Sequence, residues 1–512
     1  ISRTAVTASV SGVATPASFS LTNNAAGPAS AVLEQGTPQT TTVGAAFATS
    51  LRVRVDDTYG NPVAGRLVSF SVPGSGASAT LSAASGNTDA AGKIGVTATA
   101  NNVAGSYQVS VSVLGLPGTS TFDLTNAPGA VASVTSLSGS SPQSAVVGGN
   151  AFGHTLGVHV QDTHGNPIPG TLVTFAAPGS GARANLSNAV LATDSNGDAA
   201  VTATTGTVAG SYNVTASVPG GFSRTFAMTN LVGAAASLAR VAGDAQQAVV
   251  DVAFATDLKV RVYDGFGNAV PGVDVTFTFP SSGPTAVPSA ASPIASDAQG
   301  EVALTVTAGT KAGSYYVTAR AAGVSTPVPF SLENTFGAVD SVTVKAGATP
   351  QTALAGGDAF AAPLAVVVKD AHGNPVAGET VTYAAPGSGA SATLSAATAT
   401  TGADGAAEIT ATTNAVTGTY AVTATAASTT ASFSLTNAAA APDVLSLEGG
   451  DAQSATVATA FAVPLAVKLV DVYGNPVPGA AITFSGPASG ARAVLSAATA
   501  TTGADGRASV TA

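Results

Sequence analysis

The nine residues DTHGNPIPG, from Asp162 to Gly170, decide the fold because close variants of them recur along the whole chain. The pattern Asp-x-x-Gly-Asn occurs five times, and its asparagine stands at positions 61, 166, 268, 374 and 475. A second marker, an aromatic-led segment, ends at Asn23, Asn126, Asn230, Asn334 and Asn437, and a third, Gly-x-Tyr, ends at Tyr107, Tyr212, Tyr315 and Tyr420. Three markers that share a period of about 104 residues predict a tandem array of similar units.

Within one unit, short segments alternate between apolar and polar residues, which is typical of half-buried strands. In the second unit Val158 and Val160 alternate in this way, as do Val173 and Phe175. Prolines and glycines separate such segments, where they favour turns. We predict strands at 130–138, 156–162, 171–176, 183–192, 198–205, 211–218 and 222–229. About seven strands in about 100 residues predict an all-β chain of immunoglobulin-like sandwiches.

The composition excludes several classes of function. Only 9% of the 512 residues are charged, and the net charge of −10 argues against nucleic acid and anionic membranes as partners. The absence of cysteine excludes disulfides and thiolate metal sites. No apolar run approaches the length of a membrane-spanning helix, so we expect no membrane insertion. The chain opens at Ile1 without an initiator methionine or a signal peptide, so we expect a mature or excised piece.

These motifs also carry a family resemblance. The Asp162–Gly170 stretch, the PGSGA loop at 178–182 and the TDSNG turn at 193–197 resemble the group-one bacterial immunoglobulin-like repeats of intimin and invasin. The resemblance covers essentially the whole chain, although PSSGP at 280–284 replaces the loop in the third repeat. It implies a stiff extracellular stalk of a bacterial surface adhesin or fibre. Receptor binding and membrane anchoring reside in parts of such proteins that have no counterpart in this sequence.

The aspartate of the repeated motif admits two interpretations. An Asx-type turn needs one side chain that accepts hydrogen bonds from nearby backbone N–H groups, and this interpretation assigns a structural turn to Asp57/Asn61, Asp162/Asn166, Asp264/Asn268, Asp370/Asn374 and Asp471/Asn475. A calcium site needs several carboxylate and carbonyl oxygens, and its candidate ligands are Asp56, Asp57 and Asp89. Each copy supplies one reliable carboxylate, so we favour the turn and predict no cofactor, with calcium as the open alternative.

Other candidate sites have structural explanations. His154, His159 and His164 lie close together, but His164 aligns with Tyr59, Phe266, His372 and Tyr473, so that position requires a flat ring rather than a metal ligand. The glycine-rich loops at 74–77, 179–182 and 387–390 lack the lysine and the following helix of a phosphate loop. No catalytic arrangement recurs, so we predict no enzyme activity. The repeated tyrosines Tyr107, Tyr212, Tyr315 and Tyr420 stand where this fold places its tyrosine corner.

The repeats predict the domain boundaries. Full repeats are expected at 25–126, 127–230, 231–334 and 335–437, with the last two strands of a repeat at 1–24 and a repeat without its last two strands at 438–512. Residues 1–24 of one copy could complete 438–512 of the next, forming a head-to-tail filament by donor-strand complementation. A window cut from a longer array would explain the two ends equally well, and Thr4 departs from the tyrosine of the other copies.

Two functions therefore remain open. One is an extracellular filament or fibre, built of copies joined end to end, that serves cell-surface attachment, biofilm or matrix. The other is a passive stalk of a giant intimin-like or invasin-like adhesin whose ligand, on a host or another surface, binds through regions outside this chain. Short linkers that contain proline, such as Ala127-Pro-Gly129, predict a stiff rod in either case. The expected location is extracellular or at the bacterial cell surface.

Overall fold

The computed structural model describes residues 2–512, which form strands and turns. Contacts divide the chain into two compact units, one comprising the chain up to Ala236 together with Tyr263–Val270, the other Ser237–Val262 together with Pro271–Ala512. No helix among the described residues is long and apolar enough to cross a membrane. The prediction of an all-β chain of tandem immunoglobulin-like sandwiches is confirmed.

The strands follow one another in a repeated order. The first are β1 Ser2–Ala8, β2 Ala17–Asn23, β3 Pro28–Gln35, β4 Gln39–Thr42, β5 Leu51–Asp57, β6 Leu67–Ser71, β7 Ala79–Leu81, β8 Ser85–Asn87, β9 Lys93–Val96, β10 Ala98–Ala100, β11 Gly105–Val113 and β12 Ser120–Ala127. Next come β13 Ser133–Ser136, β14 Gln143–Val146, β15 Leu156–Gln161, β16 Leu172–Ala176, β17 Ala184–Leu186, β18 Val190–Ala192, β19 Asp198–Val201, β20 Ala203–Thr205, β21 Gly210–Ser217 and β22 Ser223–Leu231.

The same order continues to the last described residue. The third repeat has β23 Ala235–Ala242, β24 Gln246–Val249, β25 Leu258–Asp264, β26 Asp274–Thr278, β27 Ala286–Pro288, β28 Ile294–Ala295, β29 Glu301–Leu304, β30 Val306–Ala308, β31 Gly313–Ala321 and β32 Val328–Thr335. The fourth has β33 Val339–Val344, β34 Gln351–Leu354, β35 Leu364–Asp370, β36 Thr380–Ala384, β37 Ala392–Leu394, β38 Thr398–Thr400, β39 Ala406–Ile409, β40 Ala411–Thr413, β41 Gly418–Ala426 and β42 Thr429–Ala438. The last strands are β43 Pro442–Gly449, β44 Leu465–Asp471, β45 Ala481–Thr483, β46 Thr499–Thr501 and β47 Arg507–Val510.

The second repeat shows how one sandwich is built. A three-stranded sheet of order β13-β15-β19 faces a five-stranded sheet of order β14-β22-β21-β16-β18, and β17 and β20 form a separate pair. Inward side chains alternate with outward ones along each strand, so Val158, Val160, Val173, Val214 and Phe226 are all 0% exposed. β-Branched and aromatic side chains suit this half-buried pleated surface. Burial of each contributes roughly 1.5–3 kcal/mol to stability.

The structure has ten strands in this repeat where the sequence predicted seven. The predicted strand 183–192 is two strands, because β17 pairs with β20 whereas β18 pairs with β16 in another sheet. The predicted strand 198–205 divides in the same way, since β19 pairs with β15 and β20 with β17. The strand β14 was missed. It pairs in parallel with β22, whose residues lie far away in sequence, so no local pattern indicates it.

The segments at the two ends of the chain differ from the full repeats. The β1–β2 hairpin exposes 46% of Val6 and 56% of Phe19, whereas the equivalent Val109 and Phe122 are 0% exposed. In the last repeat, the second sheet consists of β45 and β46 alone. Residues 453–456, which correspond to β14, are not a strand, and Val457 is 94% exposed. Both segments therefore expose side chains that a full repeat buries.

Candidate functional site

The repeated aspartate lies at the end of a core strand and organises the turn that follows it. In the second repeat, Oδ1 of Asp162 accepts hydrogen bonds from the backbone amides of His164 and Asn166, each at 2.9 Å. Its Oδ2 accepts from Nδ2 of Asn166 at 2.8 Å and from the linker amide of Gly129 at 2.9 Å. One buried carboxylate thus ties together its own turn and the linker that enters the domain.

The same four-donor pattern surrounds Asp57, Asp264, Asp370 and Asp471, with linker amides from Ala26, Gly233, Gly337 and Ala440. Burial of Asp57 raises its pKa, but hydrogen bonds from Ala26, Asn61 and Tyr59 outweigh this effect and lower the pKa to about 2. The pKa values of the other four aspartates are lowered by the same balance of burial and hydrogen bonds. These carboxylates are therefore charged at neutral pH and satisfied by protein donors.

The asparagine of the motif reaches into the preceding repeat, a contact that the sequence reasoning missed. Oδ1 of Asn166 accepts from the amide of Ala104 at 2.8 Å, and its Nδ2 donates to the carbonyl of Asn102 at 2.9 Å. Both backbone groups belong to the loop before the sixth predicted strand of the first repeat. The side chain therefore bridges two neighbouring domains. We call this two-bond contact the asparagine clasp.

The asparagine clasp occurs at four junctions with nearly constant geometry. Asn268 bonds the amide of Ala209 at 2.9 Å and the carbonyl of Thr207 at 2.8 Å. Asn374 bonds Ala312 and Thr310, each at 2.9 Å, and Asn475 bonds Thr417 at 3.2 Å and Ala415 at 2.9 Å. An Asx turn requires the aspartate alone. The faithful recurrence of the asparagine was therefore the sequence signal that pointed to a second role.

In three of the motifs the ring lies beside the same position of the preceding repeat, a residue with positive φ. A Cβ atom on Gly148 would lie 2.8 Å from Cζ of Phe266, so only glycine fits beneath that ring. Gly356 is similarly covered by Tyr473. At the junction between the third and fourth repeats the pair is different: Nε2 of His372 lies 2.6 Å from Oδ2 of Asp251. At these three junctions the bonded linker amide, the asparagine clasp and the ring therefore belong to one contact site.

The calcium candidates accept hydrogen bonds from protein donors. Oδ1 of Asp56 bonds Nε of Arg54 at 2.8 Å, and the carboxylate of Asp57 is occupied by the four donors described above. Asp89 belongs to a separate exposed turn and accepts from the amides of Ala91 and Lys93. Within residues 2–512 no group of three or more His, Cys, Asp or Glu side chains could hold a metal ion. Two of the histidines pair with carboxylates: Nδ1 of His159 lies 2.6 Å from Oδ1 of Asp198, and Nε2 of His372 lies 2.6 Å from Oδ2 of Asp251.

Three of the four repeated tyrosines bond a side chain rather than the upstream backbone of a usual tyrosine corner. The hydroxyls of Tyr212, Tyr315 and Tyr420 each donate to Oδ1 of an asparagine, Asn230, Asn334 or Asn437, at 2.9 Å. In the first repeat, the hydroxyl of Tyr107 and Oδ1 of Asn126 have no partner among the described residues. Burial raises the pKa of all four tyrosines to about 12. Their shared position marks the start of a strand in the five-stranded sheet.

Comparison with known proteins identifies relatives of these repeats. The family model for the bacterial Ig-like domain (group 1) matches residues 47–126, 136–231, 239–332 and 343–439. The inverse autotransporter adhesin YeeJ of Escherichia coli is 31% identical over 371 residues, which are 69% of this chain and 15% of that adhesin. Because that relative is a surface adhesin, the predicted location, extracellular or at the bacterial cell surface, is confirmed.

Two solved structures match parts of the chain at low identity. The Escherichia coli adhesin FdeC is 21% identical, with 60% of this chain and 99% of that chain covered and a TM-score of 0.37. Invasin, described as a bacterial integrin-binding protein, is 18% identical, with 80% and 79% covered and the same TM-score. The resemblance noted from the sequence motifs is confirmed by the family match. The chain belongs to the family of bacterial Ig-like domains of group 1 and contains four matched copies in tandem.

Proposed function

We propose that this chain is a spacer of an extracellular adhesin, in which consecutive domains are held in a fixed relation. The asparagine clasp carries this proposal, because the same two hydrogen bonds join neighbouring domains at four junctions. A linker amide bonded to the same turn removes further freedom at each junction. Such fixed junctions are what a spacer needs in order to hold a binding region away from a cell surface.

The proposal is tested by paired spin labels on the first and second repeats. The chain has no cysteine, so Gln108→Cys and Asn213→Cys, both on exposed strand positions, give one label per domain. The distance distribution measured by electron paramagnetic resonance should be narrow and should broaden in Asn166→Ala. Asn61→Ala is the matched control, because the Asn61 side chain bonds Asp57 of its own turn. Equal widths for Asn166→Ala and the parent chain would contradict the spacer proposal.

The proposed partners follow from the spacer role. A ligand on a host cell or another surface would bind to other regions of the protein, which the repeats hold away from the cell. The five motif aspartates have their carboxylates occupied by backbone and amide donors. We therefore assign no enzyme activity to the chain. A binding assay with the isolated chain on cell surfaces should give no saturable attachment.

A second candidate function is self-association by strand complementation, with a role in filament, biofilm or matrix. It is supported by the exposed apolar side chains of the β1–β2 hairpin, where Val6 pairs with Phe19 in the register that Val109 and Phe122 adopt in the first repeat. A strand beside Ala481–Thr483 would occupy the place that β41 takes beside β36. The hairpin of one copy would thus complete the last repeat of another.

Electron microscopy of the purified chain over a concentration series tests this second candidate. Filaments that form in proportion to concentration, and that Phe19→Asp abolishes, would support it. The matched control is Ser18→Asp, because Ser18 lies next to Phe19 on the opposite face of β2. Particles of one uniform length at every concentration would exclude complementation and leave the spacer role intact.

A further inference from the structure

An open cleft of about 570 Å³ lies where the second repeat meets the ring of the third-repeat motif. Its volume falls within the range of sites that bind small ligands. Five glycines line the cleft: Gly148, Gly149, Gly179, Gly181 and Gly206. A Cβ atom at Gly149, Gly179 or Gly181 would have no neighbouring atom within 4 Å. This part of the lining is therefore open to an approaching ligand.

Among the described residues that line the cleft, Arg183 alone is charged, and its side chain is held in place. Its Nη1 donates to the carbonyl of Gly179 at 3.1 Å. A Cβ atom on Gly206 would lie 3.5 Å from Cγ of Arg183, so the stem of the arginine packs on that glycine. No carboxylate within residues 2–512 forms an ion pair with this guanidinium. Its remaining N–H groups can therefore donate to an anionic group of a ligand.

The ring of Phe266 supplies an apolar surface in the same cleft. Phe266 is 52% exposed, although the tip of its ring covers Gly148, where a Cβ atom would lie 2.8 Å from Cζ. The asparagine clasp of Asn268 bonds the carbonyl of Thr207 at 2.8 Å, and Thr207 also lines the cleft. The clasp therefore holds the turn that carries the ring against the loop of the second repeat.

An arginine beside a motif ring occurs at one junction of the described chain. In the other full repeats the equivalent residues are uncharged: Ser78, Thr285 and Ser391. The cleft beside the ring of Tyr473, at the last junction, is lined by Asp358 and Asp443 and has no cation among its described lining residues. A role in the fold that all repeats share would require the arginine in every copy. Arg183 therefore has a role that belongs to its own cleft.

We propose that this cleft binds a saccharide containing a sugar with a carboxylate group. The guanidinium of Arg183 would hold the carboxylate by paired hydrogen bonds, a geometry that suits arginine. The exposed ring of Phe266 offers a stacking surface to the apolar C–H face of a sugar. The amide of Asn185 and the hydroxyls of Ser180 and Thr207 belong to the same lining, and such groups bond sugar hydroxyls, which donate and accept. A peptide carboxylate would use the arginine alone, whereas an acidic sugar uses all three kinds of group.

This inference goes beyond the spacer role, since the main ligand of the adhesin would still bind elsewhere. A single open cleft gives weak binding, because few contacts must offset the loss of freedom on binding. One chain would therefore not stay attached to a washed cell surface, whereas many copies on one cell would bind a polymer together. Uronic acids of matrix polysaccharides and sialic acids of cell-surface glycans both have the required carboxylate.

Saturation-transfer NMR with the full chain tests the proposal and distinguishes these two sources. The acidic probes are an oligogalacturonate and sialyllactose, and their neutral counterparts are an oligogalactoside and lactose. At least one acidic sugar should bind with a Kd in the millimolar range, and its neutral counterpart should bind about ten-fold more weakly. Arg183→Ser, which introduces the residue of the first and fourth repeats, should remove this preference. Phe266→Ala should weaken binding of the acidic sugar several-fold.

Two matched controls should leave the binding unchanged. Arg492→Ser alters the equivalent arginine of the last repeat, and Tyr473→Ala removes a motif ring that has no arginine beside it. Equal binding of acidic and neutral sugars, binding that survives Arg183→Ser, or no binding of either acidic sugar would overturn the proposal. A triglutamate peptide that binds as tightly as the acidic sugars would also overturn it, because the site would then recognise a carboxylate without the sugar.

Discussion

The substitution Asp162→Ala removes a buried carboxylate that accepts four hydrogen bonds in the second repeat. The carboxylate is 4% exposed and accepts from the amides of Gly129, His164 and Asn166 and from the Asn166 side chain. A hydrogen bond to a charged group contributes about 1.5–3 kcal/mol, and donors left buried without a partner add to the loss. Because the four bonds are not additive, we expect the free energy of unfolding of this domain to fall by about 3–5 kcal/mol.

The matched control is Asp194→Ala in the same domain. Asp194 is exposed, and its Oδ1 accepts from the amides of Asn196 and Asp198 at 2.8 and 3.0 Å. Water can replace the carboxylate at that turn, so the expected loss is about 1 kcal/mol or less. The difference between the losses in free energy of unfolding of Asp162→Ala and Asp194→Ala measures what burial and the linker hydrogen bond add to an ordinary turn.

A domain-specific probe is needed because an array does not unfold as one unit. The chain has no tryptophan, so Phe222→Trp, next to the core of the second repeat, would report on that domain alone. With a urea dependence of about 1–3 kcal/mol per molar, Asp162→Ala should lower the midpoint by about 2 M. A shift no larger than that of Asp194→Ala would refute the assignment of the turn as a stabilising centre.

Two further outcomes concern pH. The motif aspartates have lowered pKa values, to about 2 for Asp57. Their contribution to stability is therefore present above the ordinary pKa near 3.9 and is lost as the pH falls through the pKa of the folded state. Urea midpoints measured by circular dichroism should fall steeply between pH 4 and pH 2, and equal midpoints at the two pH values would contradict this. Burial raises the pKa of five tyrosines to about 12: Tyr107, Tyr212, Tyr315, Tyr383 and Tyr420. The free energy of unfolding should therefore decline above about pH 10, where the unfolded chain loses these protons first. If all nine tyrosines ionised near pH 10 in an ultraviolet titration while the circular dichroism spectrum stayed native, this prediction would be wrong.

The fold could be predicted because its signals are local and repeated. The alternation of Val158 and Val160 and the turn at Asp162 each lie within a few residues, and five copies reinforced them. The strand Gln143–Val146 could not be predicted, since it exists through parallel pairing with residues about 85 positions away. The division of 183–192 was hidden for a similar reason, because the two halves differ in the sheet they join rather than in composition.

The candidate site could be predicted only in part. The sequence located the aspartate, the asparagine and the ring of each motif, but it offered a single turn to explain all three. The contact of Asn166 with the loop at Asn102 depends on how two folded domains meet, and no pattern within one repeat contains that information. The pairing of His372 with Asp251 also required the structure, because these residues are 121 positions apart.

The parallel pairing of the short second strand with the last strand has a consequence for a domain under tension. In the second repeat, Gln143 is paired with Met228 and Val146 with Leu231, and the chain leaves the domain directly after Leu231. A pull on the two ends slides these strands past each other, so the four residue pairs are loaded in shear together rather than opened one at a time. Once they yield, about 90 residues can extend by roughly 3.3–3.6 Å each, on the order of 300 Å of slack from one domain. Under a sudden load, one domain of the array would then unfold and lengthen the chain, which lowers the force on the neighbouring domains, so these stay folded.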